Sequence, residues 1–155
     1  MDRSTIEHYA AGAPRLRTAI AGLTREQLTA FPIPGAWSIA QIAVHIWDSD
    51  AAATHRMKRI AAEEAPLIIA YDESAFARTL AYHDMDLPRV CALFELNREH
   101  TAEMLRLLPD EAFERKGVHN QRGIVTLGGM VEGYVEHLAH HLRFIERKRE
   151  MVTAR

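Results

Sequence analysis

Nine histidines occur in this 155-residue chain, and three of them, His137, His140 and His141, fall within five consecutive positions. His137 and His141 stand at i and i+4, so on a helix their Cβ atoms are offset by about 40° and by about 6 Å along the axis. Two imidazoles so placed can reach one ion, which is how helical His-x-x-x-His pairs bind zinc-type metals. The spacing also arises by chance on surface helices, so the position of the pair relative to the core matters. The apolar stripe around it is Met130, Tyr134, Leu138, His141, Leu142 and Ile145, which puts His141 in the core-facing band and His137 at its edge. His140 falls with Glu136 and Arg143 on the polar side. Buried neutral imidazoles need partners, and either a metal or a hydrogen-bond network can supply them.

A third imidazole, His45, lies at the margin of another helical stripe. By helical rotation it lines up with Ser49, Ala52 and Arg56, a seam of small and polar side chains suited to a pocket wall. Asp48, three residues beyond His45, is placed to orient a ligand, to take a proton from a bound water, or to face solvent. Taken singly, His45 and Asp48 read most simply as boundary residues. Taken together, three histidines on two helices form the nitrogen-rich set preferred by zinc, nickel and similar divalent ions, and three protein ligands leave a position open for chemistry. Other constellations fail. Ser38 and Ser49 lack a Gly-x-Ser-x-Gly context, Gly128-Gly129 is no phosphate loop, and Trp37 and Trp47 read as anchors of their helix.

Helices have to hold these side chains. Four long segments carry a 3.6-residue period and no comparably long run alternates with period two, so the expected class is all-α. The first covers about residues 4–23, with Ile6, Tyr9, Ala13, Leu16, Ile20 and Leu23 on one side, and Pro14 should kink or divide it. Thr24-Arg25-Glu26-Gln27 spells a capping box for a short helix ending before Pro32. Pro32, Pro34 and Gly35 make a turn, after which Ser38 with Gln41 caps a second long helix reaching about Ala62. Its core stripe is Ile39, Ile42, Ala43, Ile46, Ala53, Met57 and Ile60. Residues 63–86 hold at most a short helix near Tyr71-Asp72-Glu73-Ser74 and are long enough for an overhead crossover. The third long helix has Pro88 in its first turn and runs to about Leu108, with Val90, Leu93, Phe94, Thr101, Met104 and Leu108 as inner candidates. A polar turn containing Gly117 and Gly123 leads to Thr126, the cap of a fourth helix that continues to about Met151.

Composition sets the frame for one domain over residues 1–155. With 48% hydrophobic and 26% charged residues the chain has ordinary globular proportions, and its apolar runs are interrupted long before bilayer length. No membrane span is expected, and the Met1-Asp2-Arg3-Ser4 start lacks a following apolar region, which reads as a cytoplasmic protein. The lone Cys91 sits in an apolar helical stretch and reads as a small core residue. Net charge is −2 and the basic residues are scattered, so no nucleic-acid stripe is present. The Arg147-Lys148-Arg149 cluster reads as cations at a helix C-terminus.

The motifs, taken in order, resemble the DinB/YfiT-like metal-binding bundles, a family that includes bacillithiol-type S-transferases and candidate metal-dependent hydrolases. The resemblance spans nearly the whole chain. It is carried by Pro34-Gly35-Ala36-Trp37-Ser38, His45 with Asp48-Ser49, Arg56, Pro66, Tyr71-Asp72-Glu73, Thr126-Leu127 and His137-Leu138-Ala139-His140-His141. It implies a four-helix bundle with an up-down-down-up path, metal ligation by His45, His137 and His141, and a homodimer. The residues and the resemblance together point to a small-molecule substrate and three functions. The first is transfer of a low-molecular-weight thiol, with Arg56 and Tyr71 as substrate-binding candidates and Asp48 as a base or orienting group. The second is metal-dependent hydrolysis of a small substrate, and the third a non-catalytic metal-binding stress role. Many relatives carry Gln three residues after the paired histidines, where this chain has Phe144.

Overall fold

The computed structural model describes residues 1–154. The first periodic segment is divided, as Pro14 predicts, into α1 (Ser4–Ala11) and α2 (Arg15–Ile20). Gly12 at the break has a packing role: a Cβ there would collide with the Arg98 guanidinium and would lie 2.8 Å from Leu138 Cδ2. Helices α3 (Arg25–Thr29) and α4 (Ile39–Ala62) both begin with the expected capping boxes. The Gln41 N–H donates to Ser38 Oγ at 3.2 Å while Ser38 N–H donates to Gln41 Oε1 at 3.0 Å, which satisfies two amides at the start of the helix that carries His45.

Beyond α4 the chain forms a short strand, β1 (Leu67–Ile68), then α5 (Glu73–Thr79) and a 3₁₀ turn at Tyr82–Asp84, before α6 (Leu87–Leu107). A second 3₁₀ turn at Asp110–Glu114 precedes β2 (Lys116–His119), β3 (Gly123–Thr126) and α7 (Leu127–Thr153). Thr126 caps α7 as expected, its Oγ1 accepting from the Gly129 N–H at 3.0 Å.

Two apolar clusters give the direction of each helix. The first half of α4 (Ile39 to Ile46), the start of α6 (Leu87 to Phe94) and the later part of α7 (Leu138 to Ile145) share one cluster with Leu16 and Ile20. The second half of α4, the end of α6 and the start of α7 share the other with Ile6 and Tyr9. Helices α4 and α6 are therefore parallel, and α1–α2 and α7 run against them: the up-down-down-up bundle, with residues 63–86 as the crossover. Helix α4 packs along both α6 and α7, and so does α1.

A buried polar layer lies between the two clusters. Arg98 and Asp50, each about 1% exposed, pair through the guanidinium at 2.9 and 3.1 Å, and Tyr9 Oη and Asn97 Nδ2 donate to the other Asp50 oxygen. Arg98 also donates to the carbonyls of Tyr9 and Tyr134. With both charges hydrogen-bonded, the burial cost of each is met within the layer.

The structure departs from the sequence reading in four places. A three-stranded sheet joins the bundle: β1 pairs parallel to β2, and β2 antiparallel to β3. Gly117 therefore lies inside a strand, while Gly123, with φ +74°, closes the hairpin. The strands are too short to show a period, and β2 inverts the usual pattern by burying Gly117 and His119 while exposing Lys116 and Val118. Leu93, expected inside, is exposed, and Arg98 takes an inner position on α6. In the basic cluster, Lys148 is buried and Arg149 reaches back to the Ala19 and Ala21 carbonyls, tying α7 to the end of α2. Cys91 is a core residue, and burial pushes its thiol pKa up to about 11. No described helix is long and apolar enough to cross a membrane.

Candidate metal centre

Helix α4 presents His45 and Ser49 from one side of the bundle, and α7 presents Tyr134, His137 and His141 from the facing side. One ring nitrogen from each of His45, His137 and His141 lies within 4.8 Å of the other two. His137 and His141 bring their Nε2 atoms to 3.1 Å of each other, and the His45 ring centroid is 5.3 and 4.7 Å from theirs. His45 is fully buried, and neither of its ring nitrogens has a hydrogen-bond partner. Trp37 closes over it with ring centroids 5.0 Å apart.

Electrostatics keep all three rings neutral. Burial pushes His137 down to about 3 and His141 down to about 4, with the neighbouring imidazoles adding to the effect. Burial lowers His45 as well, opposed by the carboxylates of Glu73 and Asp48. Glu73 Oε2 stands 3.9 Å from His45 Nε2, at the first turn of α5. Three neutral imidazoles converging in a partly buried space are the donor set that zinc, nickel and similar ions take up. The orphaned nitrogens of His45 fit that use, because an ion would satisfy a buried polar group that the protein leaves unmatched. A cleft of about 920 Å³ opens in front of His137, between α4, α5, the β2–β3 hairpin and α7.

The sequence profile of the DinB superfamily matches residues 8–145. The chain belongs to the DinB superfamily. YfiT of Bacillus subtilis is 34% identical over 133 residues, which is 84% of this chain and 74% of that protein, and is described as a candidate metal-dependent hydrolase. A protein of Oceanobacillus iheyensis with the same description is 31% identical over 133 residues, 85% of this chain and 77% of its own. The solved structure of B. subtilis YfiT, described as having an unusual four-helix bundle topology, superimposes with a TM-score of 0.89 at 28% identity, covering 94% of this chain and 83% of that one.

Within this DinB fold, the residues singled out by sequence fall into three groups. His45, His137 and His141 come together. His140 is exposed, edge-on to His141 and Phe144, so Phe144 packs on the outer histidine at a ring distance of 4.8 Å. Arg56 and Tyr71 meet at the cleft wall, the guanidinium carbon 5.8 Å from the ring centroid. Asp48 is turned elsewhere: it accepts a hydrogen bond from the Tyr82 hydroxyl and makes none to His45.

The sequence reading quoted Glu73 within the Tyr71-Asp72-Glu73 motif but gave it no part in the site; it is the carboxylate that stands 3.9 Å from His45 Nε2, and its place depends on how the crossover folds back over α4. Sequence reasoning also passed over Tyr134 as a site residue. The Tyr134 hydroxyl is 3.2 Å from Ser49 Oγ and its ring is 5.4 Å from His137. The only available signal was its place on the same stripe, one turn before His137.

Proposed function

We propose that the protein binds one divalent transition ion, zinc or nickel, through His45, His137 and His141, and uses it to activate a nucleophile against a small molecule. The observation that carries this reading is the convergence of three ring nitrogens, one from each histidine, with the His45 nitrogen on a fully buried imidazole that has no other partner. When bound, such an ion lowers the pKa of a coordinated water or thiol towards neutrality and so supplies a nucleophile.

The residues around the centre have distinct tasks. Trp37 covers His45 and excludes water from behind it. Glu73 is placed to accept a proton from a group arriving beside His45, and Ser49 and Tyr134 offer hydroxyls on the cleft side. Asp48 holds the Tyr82 hydroxyl, which fixes the 3₁₀ turn after α5 and with it the approach of Glu73. Arg56 and Tyr71 line the substrate side.

The reaction we propose is transfer of a low-molecular-weight thiol to an electrophile, in line with the family resemblance and with a roomy cleft that carries arginines beside the centre. A second reading, hydrolysis of a small ester or amide by activated water, is favoured by the descriptions of YfiT and the O. iheyensis relative. Parallel assays on zinc- and nickel-loaded protein decide between them. Loss of free thiol with a chlorobimane-type acceptor supports transfer, and ester cleavage without added thiol supports hydrolysis. Retention of metal with neither activity leaves a metal-binding role. The homodimer is part of the same proposal, with the exposed Leu93 and Leu96 of α6 as an available apolar face; light scattering at tens of micromolar checks it.

A further inference from the structure

The cleft in front of His137 carries more positive charge than the metal reading requires. Arg56, Arg122 and Arg143 line it, against the carboxylates of Glu73 and Glu136. Glu73 is turned to His45. Among the described residues, none of the three arginines has a carboxylate within ion-pair distance, although seven other arginines do.

Two of these cations are gathered at the sheet. Arg56 Nη2 donates to the Ile69 carbonyl at 2.8 Å, which anchors one edge of the guanidinium at the end of β1. Arg122 sits on the hairpin loop, which is itself tied down: the Asn120 N–H donates to the Ile68 carbonyl at 3.0 Å, and Asn120 Oδ1 accepts from the Ala70 N–H at 2.9 Å. His119, buried on the inner side of β2, lines the same cleft as both arginines. Its Nδ1 accepts from the Gln121 N–H at 3.1 Å, so the neutral ring carries its proton on Nε2 and offers a donor. Burial, then Arg56 and Arg122, push the His119 pKa below the ordinary imidazole range, which keeps the ring neutral.

Guanidinium groups bind planar or tetrahedral oxyanions through paired N–H donors. Cations left without carboxylates in a walled cleft also concentrate anions there. We propose that Arg56, Arg122 and His119 form an oxyanion subsite, holding a carboxylate or phosphate group of the small molecule whose reacting end lies at the histidine triad. This rests on the metal-centre reading for the position of the reacting end. It makes the substrate an acid with its anionic group at the far end of the cleft, and Arg143 on α7 adds to the attraction.

The test uses zinc-loaded protein and calorimetric titration with linear dicarboxylates from succinate to suberate, each against its matching monoamide, and with 3-phosphonopropionate. Every probe keeps one carboxylate for the metal, and the series varies the spacing to the second anionic group. The subsite predicts that at one length the diacid binds about ten-fold or more tighter than the monoamide, as expected for a charge-assisted contact. Arg122→Gln, at an exposed loop position, should remove most of that preference and leave the monoamide unchanged. Tighter binding of the phosphonate that is lost in the same variant supports a phosphate ligand, and tighter binding of a diacid supports a carboxylate.

Equal affinity of diacid and monoamide at every length, with no Arg122-dependent phosphonate binding, overturns the subsite, and so does a preference that survives Arg122→Gln. Zinc content is measured on the same samples. Protein that holds zinc without the preference overturns the oxyanion subsite alone. If no zinc is held, the metal reading falls, and the comparison is made between diacids and diamides on that protein, where the same Arg122-dependent preference supports the subsite and its absence overturns it.

Discussion

The Nε2 atoms of His137 and His141 face each other across one turn of α7 at 3.1 Å. Two imidazoles at that separation can share a single proton, but the geometry equally suits two ligands of one ion, for which nitrogens lie about 3 to 3.4 Å apart at ordinary zinc–nitrogen distances. The nearby ring of His45, with both nitrogens unmatched, favours the second use.

The depressed pKa values of this pair give a stability signature. Between the ordinary imidazole value near 6.5 and about 4, the unfolded chain takes up protons that folded His137 and His141 refuse. The metal-free protein should therefore be most stable above that window and lose stability as pH falls through it. Urea unfolding at pH 7.5, 5.5 and 4.5 reads the slope, and replacing both histidines by leucine should flatten it. By the same sign, folded His137 and His141 need no deprotonation for metal uptake until about pH 4, and His45 is lowered in the same direction, so zinc affinity should persist below pH 6, where ordinary imidazoles lose it.

The buried pair of Arg98 and Asp50 makes a different prediction, about folding rather than chemistry. Arg98→Met leaves a carboxylate 1% exposed with its main partner gone, a loss of about 3–5 kcal/mol in a chemical denaturation experiment. The double variant Arg98→Met with Asp50→Leu should recover part of that loss, because no unpaired charge remains. Equal destabilisation in single and double variants would mean that the layer contributes through packing alone.

Glu73 and Asp48 should separate kinetically. Glu73→Gln is expected to keep its metal and lose about 100-fold or more in kcat, the scale of a missing proton acceptor, with the acidic limb of the pH profile displaced. Asp48→Asn, whose contact is Tyr82, should cost about 1 kcal/mol of stability. Its effect on kcat should be smaller than that of Glu73→Gln. The reverse ranking, in whichever assay shows turnover, would return the proton-handling role to Asp48.

Much of the scaffold could be read directly from local signals. Thr24 with Gln27 and Ser38 with Gln41 announce their helices through chemistry confined to four residues, and the 3.6-residue stripe of α7 puts His141 inward and His140 outward. The i, i+4 pair was legible for the same reason. What escaped depends on contacts distant in sequence. Arg98 is buried only because Asp50, 48 positions away, and the space left by Gly12 receive it. Val118 and His119 read as an apolar and a polar residue, yet pairing with Leu67 and Ile68 turns the first outward and the second inward. Glu73 reaches His45 through the fold of a crossover that carries no period.

The central claim is that His45, His137 and His141 hold one divalent ion, and the metal content of matched variants tests it most directly. Each protein is stripped with chelator, reloaded with zinc near pH 7.5, desalted and analysed for zinc per folded chain, with circular dichroism to confirm folding. Wild type and His140→Ala should retain about one ion, whereas His45→Ala, His137→Ala and His141→Ala should each lose most of it, since only two protein nitrogens remain. Folded wild-type protein that takes up no zinc or nickel would contradict the account, as would loss of the ion in His140→Ala with retention in His141→Ala.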